Sequence, residues 1–154
     1  MSKANDPRIR LHALLDSTRE TIQKAVKLEL AQYKMSQSQV KVMHMLARTG
    51  DGLTLGQLSE FAIRKLNSMT TLINRMQKKG LVKKVKRDGD SKTYVFLTDK
   101  GMDIYDNTVT ERSITLIFDI LSDEEKKQLT TLLSKLQSEA RDLLGLDYKP
   151  PFLQ

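Results

Sequence analysis

The sequence predicts a mainly α-helical fold that contains one small β-hairpin and has a long helix at each end. Apolar residues recur at helical spacing over most of the 154 residues. The spacing changes to that of strands only once, near residues 81–97. The middle of the chain therefore has the order helix, helix, helix, hairpin, which is the order of a winged helix-turn-helix. The length suggests a single domain over residues 1–154.

The first two helices follow from periodicity and from their end signals. A helix is predicted from about Arg8 to Gln32, and a second begins after Ser36 and ends at Gly50. The first helix carries an apolar stripe of Leu11, Leu14, Leu15, Ile22, Val26 and Leu30. Such a stripe must be covered by another part of the protein or by a second copy.

The next elements complete the helix-turn-helix and the hairpin. Thr54 is the predicted N-cap of a short third helix, and a fourth helix runs from Leu66 to Lys79 and stops at Gly80. Residues 81–86 and 93–97 read as two strands joined by a turn at residues 87–90. This hairpin is the predicted wing.

Two more helices are predicted at the C-terminal end. Helical spacing returns from Met102 to Ile120, Ser122 begins the last helix, and Pro150 and Pro151 close it. The terminal helices are longer and richer in leucine than one small module needs. We therefore expect residues 8–32 and 102–146 to form a helical dimerisation lobe, and residues 36–100 to form a separate winged helix-turn-helix lobe.

Composition excludes several classes of protein. The chain has no cysteine, so disulfides, thiolate nucleophiles, cysteine-based zinc sites and thiol redox switches are excluded. No run of 18 apolar residues occurs, and Met1 to Arg10 is too polar for a signal peptide. We expect a soluble cytoplasmic protein without a membrane segment.

The positive charge is concentrated in one part of the chain. The net charge is +7, but residues 64–100 contain 11 basic and 3 acidic residues, so the remainder has a net charge of −1. A bias that served only solubility would be spread more evenly. A focused basic region indicates a polyanionic partner such as nucleic acid.

The fourth predicted helix carries the candidate recognition residues. On a helical wheel its outer face is made of amides, hydroxyls and cations, with no carboxylate between Glu60 and Asp88. Asparagine and arginine can hydrogen-bond base edges, while serine, threonine and lysine suit phosphates. Asn67 is either part of this face or the cap of the helix. The candidate DNA-binding residues are Thr54, Arg64, Asn67, Ser68, Thr70, Thr71, Asn74, Arg75, Lys78, Lys86, Arg87 and Lys92.

Four segments resemble the multiple-antibiotic-resistance regulator (MarR) family: Leu53 to Glu60, Met69 to Val82, Asp90-Ser91-Lys92, and Leu97 to Gly101. The resemblance implies a homodimer of winged helix-turn-helix subunits that binds palindromic promoter DNA. It also implies a repressor that a small, often aromatic, effector releases. The family's wing usually reads Asp-x-Arg, and Lys92 keeps the charge of that arginine without its bidentate fork.

Other functions fit the residues less well. An RNA-binding or ribosome-associated winged helix without an effector is the alternative, but no aromatic residue lies between Arg64 and Lys86 to stack on bases. His44 lies on the core side of its helix and is interpreted as a satisfied core histidine. No constellation of catalytic or metal-binding residues is found, so we expect no enzyme, metal or cofactor.

Overall fold

The computed structural model describes residues 5–108 and 112–146, and residues 1–4, 109–111 and 147–154 lie outside it. The described part is mainly α-helical with one small antiparallel sheet, as predicted. Its elements are α1 (Pro7–Ala31), α2 (Gln37–Thr49), β1 (Leu53–Thr54), α3 (Leu55–Ala62), α4 (Leu66–Lys78), β2 (Val82–Lys86), β3 (Thr93–Leu97), α5 (Asp99–Thr108), α6 (Arg112–Phe118) and α7 (Asp123–Leu143).

The predicted helix starts are confirmed by their caps. Ser36, Thr54 and Ser122 each accept a hydrogen bond from the backbone N–H three residues on. The Gln or Glu at that position accepts one from the N–H of the cap in return, so each start is a complete capping box. Asp6 caps α1 by accepting from the N–H of Arg8 at 2.8 Å.

The sheet has the strand order β1-β3-β2, and both pairs are antiparallel. The β2–β3 hairpin pairs Val82 with Leu97 and Lys86 with Thr93, which confirms the predicted wing. The prediction of a two-stranded hairpin was incomplete, because β1 adds a third strand through the pairing of Leu53 with Val95. A strand of two residues is too short to show a period in the sequence.

The hydrophobic core lies between α2, α3, α4 and the sheet. It contains Val42, Met43, Met45, Leu46, Leu53, Leu58, Ala62, Met69, Ile73, Met76, Leu81, Val82 and Val95. Burial of each larger side chain contributes about 1.5–3 kcal/mol, so this cluster holds α4 and the wing in fixed relation to each other. Leu66 lies on the same side of α4 as Met69, Ile73 and Met76, but it is 52% exposed because it begins α4 beyond the edge of the core.

Gly101 and Thr98 fix α5 against the end of α4. The Thr98 hydroxyl donates to the carbonyl of Gly80 and accepts from the N–H of Gly101 at 2.9 Å. A Cβ on Gly101 would lie 2.0 Å from the carbonyl oxygen of Leu81, so only glycine permits this approach. The Leu97–Gly101 segment thus joins the wing to the C-terminal helices.

Two predicted helix limits were wrong. The helix predicted from Met102 begins earlier, at Asp99, and α6 ends at Phe118, short of the predicted Ile120. Between α5 and α6, Val109 lies outside the described residues. The last helix ends at Leu143, before Gly145 at φ +65°, whereas the predicted terminators Pro150 and Pro151 lie outside the described residues. The stop comes from a glycine in the left-handed conformation.

The terminal helices bury little within one chain. In α1 only Leu30 is buried, while Leu11 and Leu14 are 58% and 65% exposed. Glu29 joins α1 to α6, because its carboxylate accepts hydrogen bonds from the backbone N–H groups of Arg112 at 3.0 Å and Ser113 at 2.7 Å.

None of the helices in the described part combines the length and hydropathy that a membrane span needs.

Candidate nucleic-acid interface

The turn between α3 and α4 sets the position of the candidate recognition helix. Ile63 ends α3 in the left-handed conformation at φ +51°, and the N–H of Arg64 donates to the carbonyl of Ser59 at 2.9 Å. Helix α4 begins at Leu66 after Lys65, which forms no side-chain cap. Asn67 is therefore inside the helix, and its alternative role as the cap is excluded.

The two sides of α4 differ as the wheel predicts. Met69, Ile73 and Met76 are fully buried. The exposed predicted residues on this helix are Asn67, Ser68, Thr71, Asn74, Arg75 and Lys78, and Thr70 is partly exposed. The Thr70 and Thr71 hydroxyls donate to carbonyls one turn back, at 2.9 and 3.0 Å, so each presents a methyl group and acceptor lone pairs. The outer face thus offers amide and cationic donors without a carboxylate.

The wing contacts this face through Lys84. Its ammonium donates to the side-chain oxygen of Asn74 at 2.6 Å. Nothing in the sequence alone indicated this contact, because Lys84 and Asn74 lie on different elements.

Thr54 lies beside the wing rather than on the outer face. Its hydroxyl accepts from the N–H of Gln57 at 3.2 Å, which caps α3. It shares a shallow cleft with Thr70 and Lys92, so three of the predicted residues meet on the wing side of α4. Lys86 is exposed at the end of β2.

Arg87 is engaged within the protein. Its guanidinium lies 4.0 Å from the centre of the Tyr94 ring and 5.8 Å from that of Phe96, and it donates to the carbonyl of Asp51. Asp51 belongs to the loop between α2 and β1, so this arginine joins the turn end of the wing to that loop. The neighbouring Gly52 has φ +73°, and a Cβ there would lie 2.6 Å from the Phe96 ring.

Asp90 organises the tip of the wing. Its carboxylate accepts from the N–H of Lys92 at 2.9 Å and from the Tyr94 hydroxyl at 2.8 Å. These hydrogen bonds hold the pKa of Asp90 below its usual range, and the bond from the N–H of Lys92 contributes most. The hydrogen bond to Asp90 in turn raises the pKa of the Tyr94 hydroxyl. The Lys92 backbone is thereby fixed while its side chain stays exposed.

The two histidines lie in different surroundings. His44 is partly buried, and its Nδ1 lies 2.7 Å from the hydroxyl of Tyr105 on α5, as expected for a core histidine. His12 is exposed beside a groove between α1 and α7. Among residues 5–108 and 112–146, no group of three or more histidine, aspartate or glutamate side chains could hold a metal ion.

Comparison with known proteins identifies the family. Residues 35–94 match the MarR family. The chain is 33% identical over 115 residues to the HTH-type transcriptional regulator YsmB of Bacillus subtilis, an alignment that covers 73% of this chain and 78% of YsmB.

Solved structures share the fold. A mutant of MarR from E. coli in complex with operator DNA has a TM-score of 0.74 and 22% identity over 88% of this chain and 99% of that one. The organohalide-sensing regulator RdhR in its 2,4-dichlorophenol-bound form has a TM-score of 0.75 and 24% identity, over 88% and 82% of the two chains. The similarity to YsmB and the match over residues 35–94 show that this chain belongs to the MarR family of transcriptional regulators.

Proposed function

We propose that this protein is a cytoplasmic, sequence-specific regulator that binds double-stranded DNA as a homodimer. In this proposal α4 enters the major groove and the wing follows the backbone or the minor groove. The observation that carries it is the exposed face of α4, which has hydroxyl, amide and cationic groups and no carboxylate from residue 61 to residue 87. A helix face exposed only to solvent usually mixes charges of both signs.

Exposed leucines in a groove between the terminal helices support dimerisation. We assign residues 36–100 to DNA binding, and residues 8–32 and 102–146 to the dimer. The groove between α1 and α7 is lined by Leu11, Leu15, Leu133 and Leu136, of which the last two are 38% and 51% exposed in one chain. A second copy would cover these leucines, and its two-fold symmetry would match a palindromic site.

The proposal extends to repression and to its release by a small molecule. RdhR, which shares the fold, has a structure with bound 2,4-dichlorophenol. We propose that this protein is a repressor and that a small effector releases it from DNA. Such an effector would have to bind more tightly to a conformation in which the two α4 helices are wrongly spaced for the operator.

The alternative is a winged helix that binds RNA. Proteins that read single-stranded RNA stack bases on exposed aromatic rings. Here the wing rings of Tyr94 and Phe96 lie against the Arg87 guanidinium and are only partly exposed. This arrangement favours duplex DNA as the partner.

A competition experiment tests the proposal. A labelled duplex that the protein binds is challenged at fixed salt with unlabelled duplex DNA, duplex RNA and single strands of the same sequence, and anisotropy is measured. We expect duplex DNA to compete at least tenfold better than either alternative. Equal or better competition by RNA or by single strands would overturn the assignment to duplex DNA.

A further inference from the structure

One side of α4 faces α2 rather than the wing, and six cations collect there. Two adjoining clefts on this side share Leu72. We refer to their basic residues together as the α2 flank, which consists of Lys34, Lys41, Arg64, Arg75, Lys78 and Lys79. Lys34 and Lys41 come from the α1–α2 loop and from α2, which the sequence analysis did not connect with DNA.

This surface is basic and carries no carboxylate from the part of the chain that the structure describes. None of the described aspartates and glutamates lines either cleft. The chain has none between Glu29 and Asp51, which covers the whole of α2, and none between Glu60 and Asp88. Both walls of the clefts are thus basic, and their charge is not neutralised by acidic side chains of the cleft walls.

Lys41, Arg64 and Ser38 line the same one of these two clefts. Partial burial lowers the pKa of Lys41, and the positive charge of Arg64 lowers it further. The backbone of Arg64 is fixed by its bond to Ser59, and Met45, Met69 and Leu72 form apolar walls. Both side chains remain accessible to solvent, and an anion between these two like charges would stabilise both of them.

We propose that Lys41 and Arg64 bind a backbone phosphate of the DNA duplex, and that the α2 flank follows one strand of the duplex beside α4. The inference rests on the proposed function. A helix in the major groove lies between two phosphate backbones. The wing, through Lys84 and Lys92, adjoins one side of α4, and the α2 flank adjoins the other. Each backbone therefore meets a basic surface of its own.

Charge-neutral variants test this site. Lys41→Gln and Arg64→Gln each remove one cation, and Lys127→Gln on α7 is the matched control because Lys127 is exposed and far from the clefts in sequence. Each lost phosphate contact flattens the slope of log affinity against log salt by ~0.9. A dimer loses one contact in each subunit, so its slope should flatten by up to about 2. At 0.15 M salt this corresponds to a roughly fivefold loss of affinity per contact. We expect equal losses on operator and random duplexes, because phosphates carry no sequence.

Lysine acetylation, measured by mass spectrometry, tests the site in the wild-type protein, so the result does not depend on whether a variant folds. In the wild-type protein, we expect bound duplex to slow acetylation of Lys41 and Lys34 at least fivefold and to leave Lys127 unchanged. In a second experiment inorganic phosphate replaces the duplex at the same ionic strength, and we expect the acetylation rates of Lys41 and Lys34 to stay unchanged. Protection by inorganic phosphate without protection by duplex would assign the cleft to a free anion and overturn the proposal.

The outcomes separate the two proposals. If the wild-type protein binds no duplex, the proposed function and this site both fail. If it binds duplex, but Lys41→Gln matches Lys127→Gln in affinity and salt slope and Lys41 is acetylated equally with and without DNA, only the phosphate site fails.

Discussion

The Lys84 ammonium donates a hydrogen bond of 2.6 Å to the side-chain oxygen of Asn74, so the wing holds one of the candidate recognition residues. A lysine ammonium can only donate, so the oxygen of the Asn74 amide faces Lys84. The amide nitrogen, with its two hydrogens, is left for a partner outside the protein. Asn74 is thereby prepared to donate to an acceptor on a base edge, and its oxygen, which has a second lone pair, can still accept from the amino group of an adenine.

We expect Asn74→Ala to reduce the preference for operator over random duplex more than it reduces the affinity for random duplex. Loss of a base contact costs about 1–3 kcal/mol on the operator and little on random duplex. Arg75→Ala should act in the same way if Arg75 contacts a base, and equally on both duplexes if it contacts a phosphate. Anisotropy titrations with both duplexes measure this, with Gln77→Ala, on the same helix, as the control. If neither variant alters operator binding, the exposed face of α4 is not the recognition surface.

Arg87 and Tyr94 should act as a unit that positions the wing. Tyr94→Leu removes the ring beneath the guanidinium but keeps every positive charge, whereas Tyr94→Phe keeps the ring and serves as the control. We expect Tyr94→Leu to weaken DNA binding without flattening the salt dependence, and to speed hydrogen exchange in β2 and β3. Arg87→Ala combined with Tyr94→Leu should lose less affinity than the sum of the two single losses. Full additivity, with unchanged hydrogen exchange, would instead make Arg87 an independent DNA contact.

Lys92 tests the wing as a DNA contact. Its backbone is held by Asp90 and its side chain is exposed, so Lys92→Ala should weaken operator and random duplex alike. The slope of log affinity against log salt should flatten by up to about 2 per dimer. Lys92→Arg restores the family's residue and should tighten binding most where A·T-rich flanks narrow the minor groove. Unchanged affinity and slope in Lys92→Ala would show that this lysine serves only the solubility of the hairpin.

Local signals predicted most of the fold, and contacts between distant residues account for the rest. The Ser36, Thr54 and Ser122 caps were predictable because each cap and its partner lie three residues apart. The buried and exposed sides of α4 followed from helical period. The bond from Arg87 to Asp51 spans 36 residues, so it depends on how the wing packs and no spacing rule contains it. The same holds for Lys41 and Arg64, which come together because α2 packs beside the turn between α3 and α4.

The leucines between α1 and α7 test the assembly. Leu136→Glu places a charge in the groove that a second copy is proposed to cover, and Ser138→Glu places the same charge on the opposite side of α7. We expect sedimentation to show a dimer for the wild type and Ser138→Glu and a monomer for Leu136→Glu. The monomer should still be helical, because Leu136 lies outside the core of α2, α3, α4 and the sheet. A dimer that survives Leu136→Glu would exclude this groove as the interface.

The central claim is that two copies of α4 read the two halves of a palindromic duplex. Selection from a library of randomised duplexes, followed by sequencing of the bound fraction, measures this directly. We predict enrichment of an inverted repeat whose half-sites lie about one helical turn apart, bound by two chains per duplex. The Asn74→Ala variant should enrich a repeat with relaxed preference at one position in each half. Bound duplexes with no common sequence, or a single half-site bound by one chain, would contradict the account.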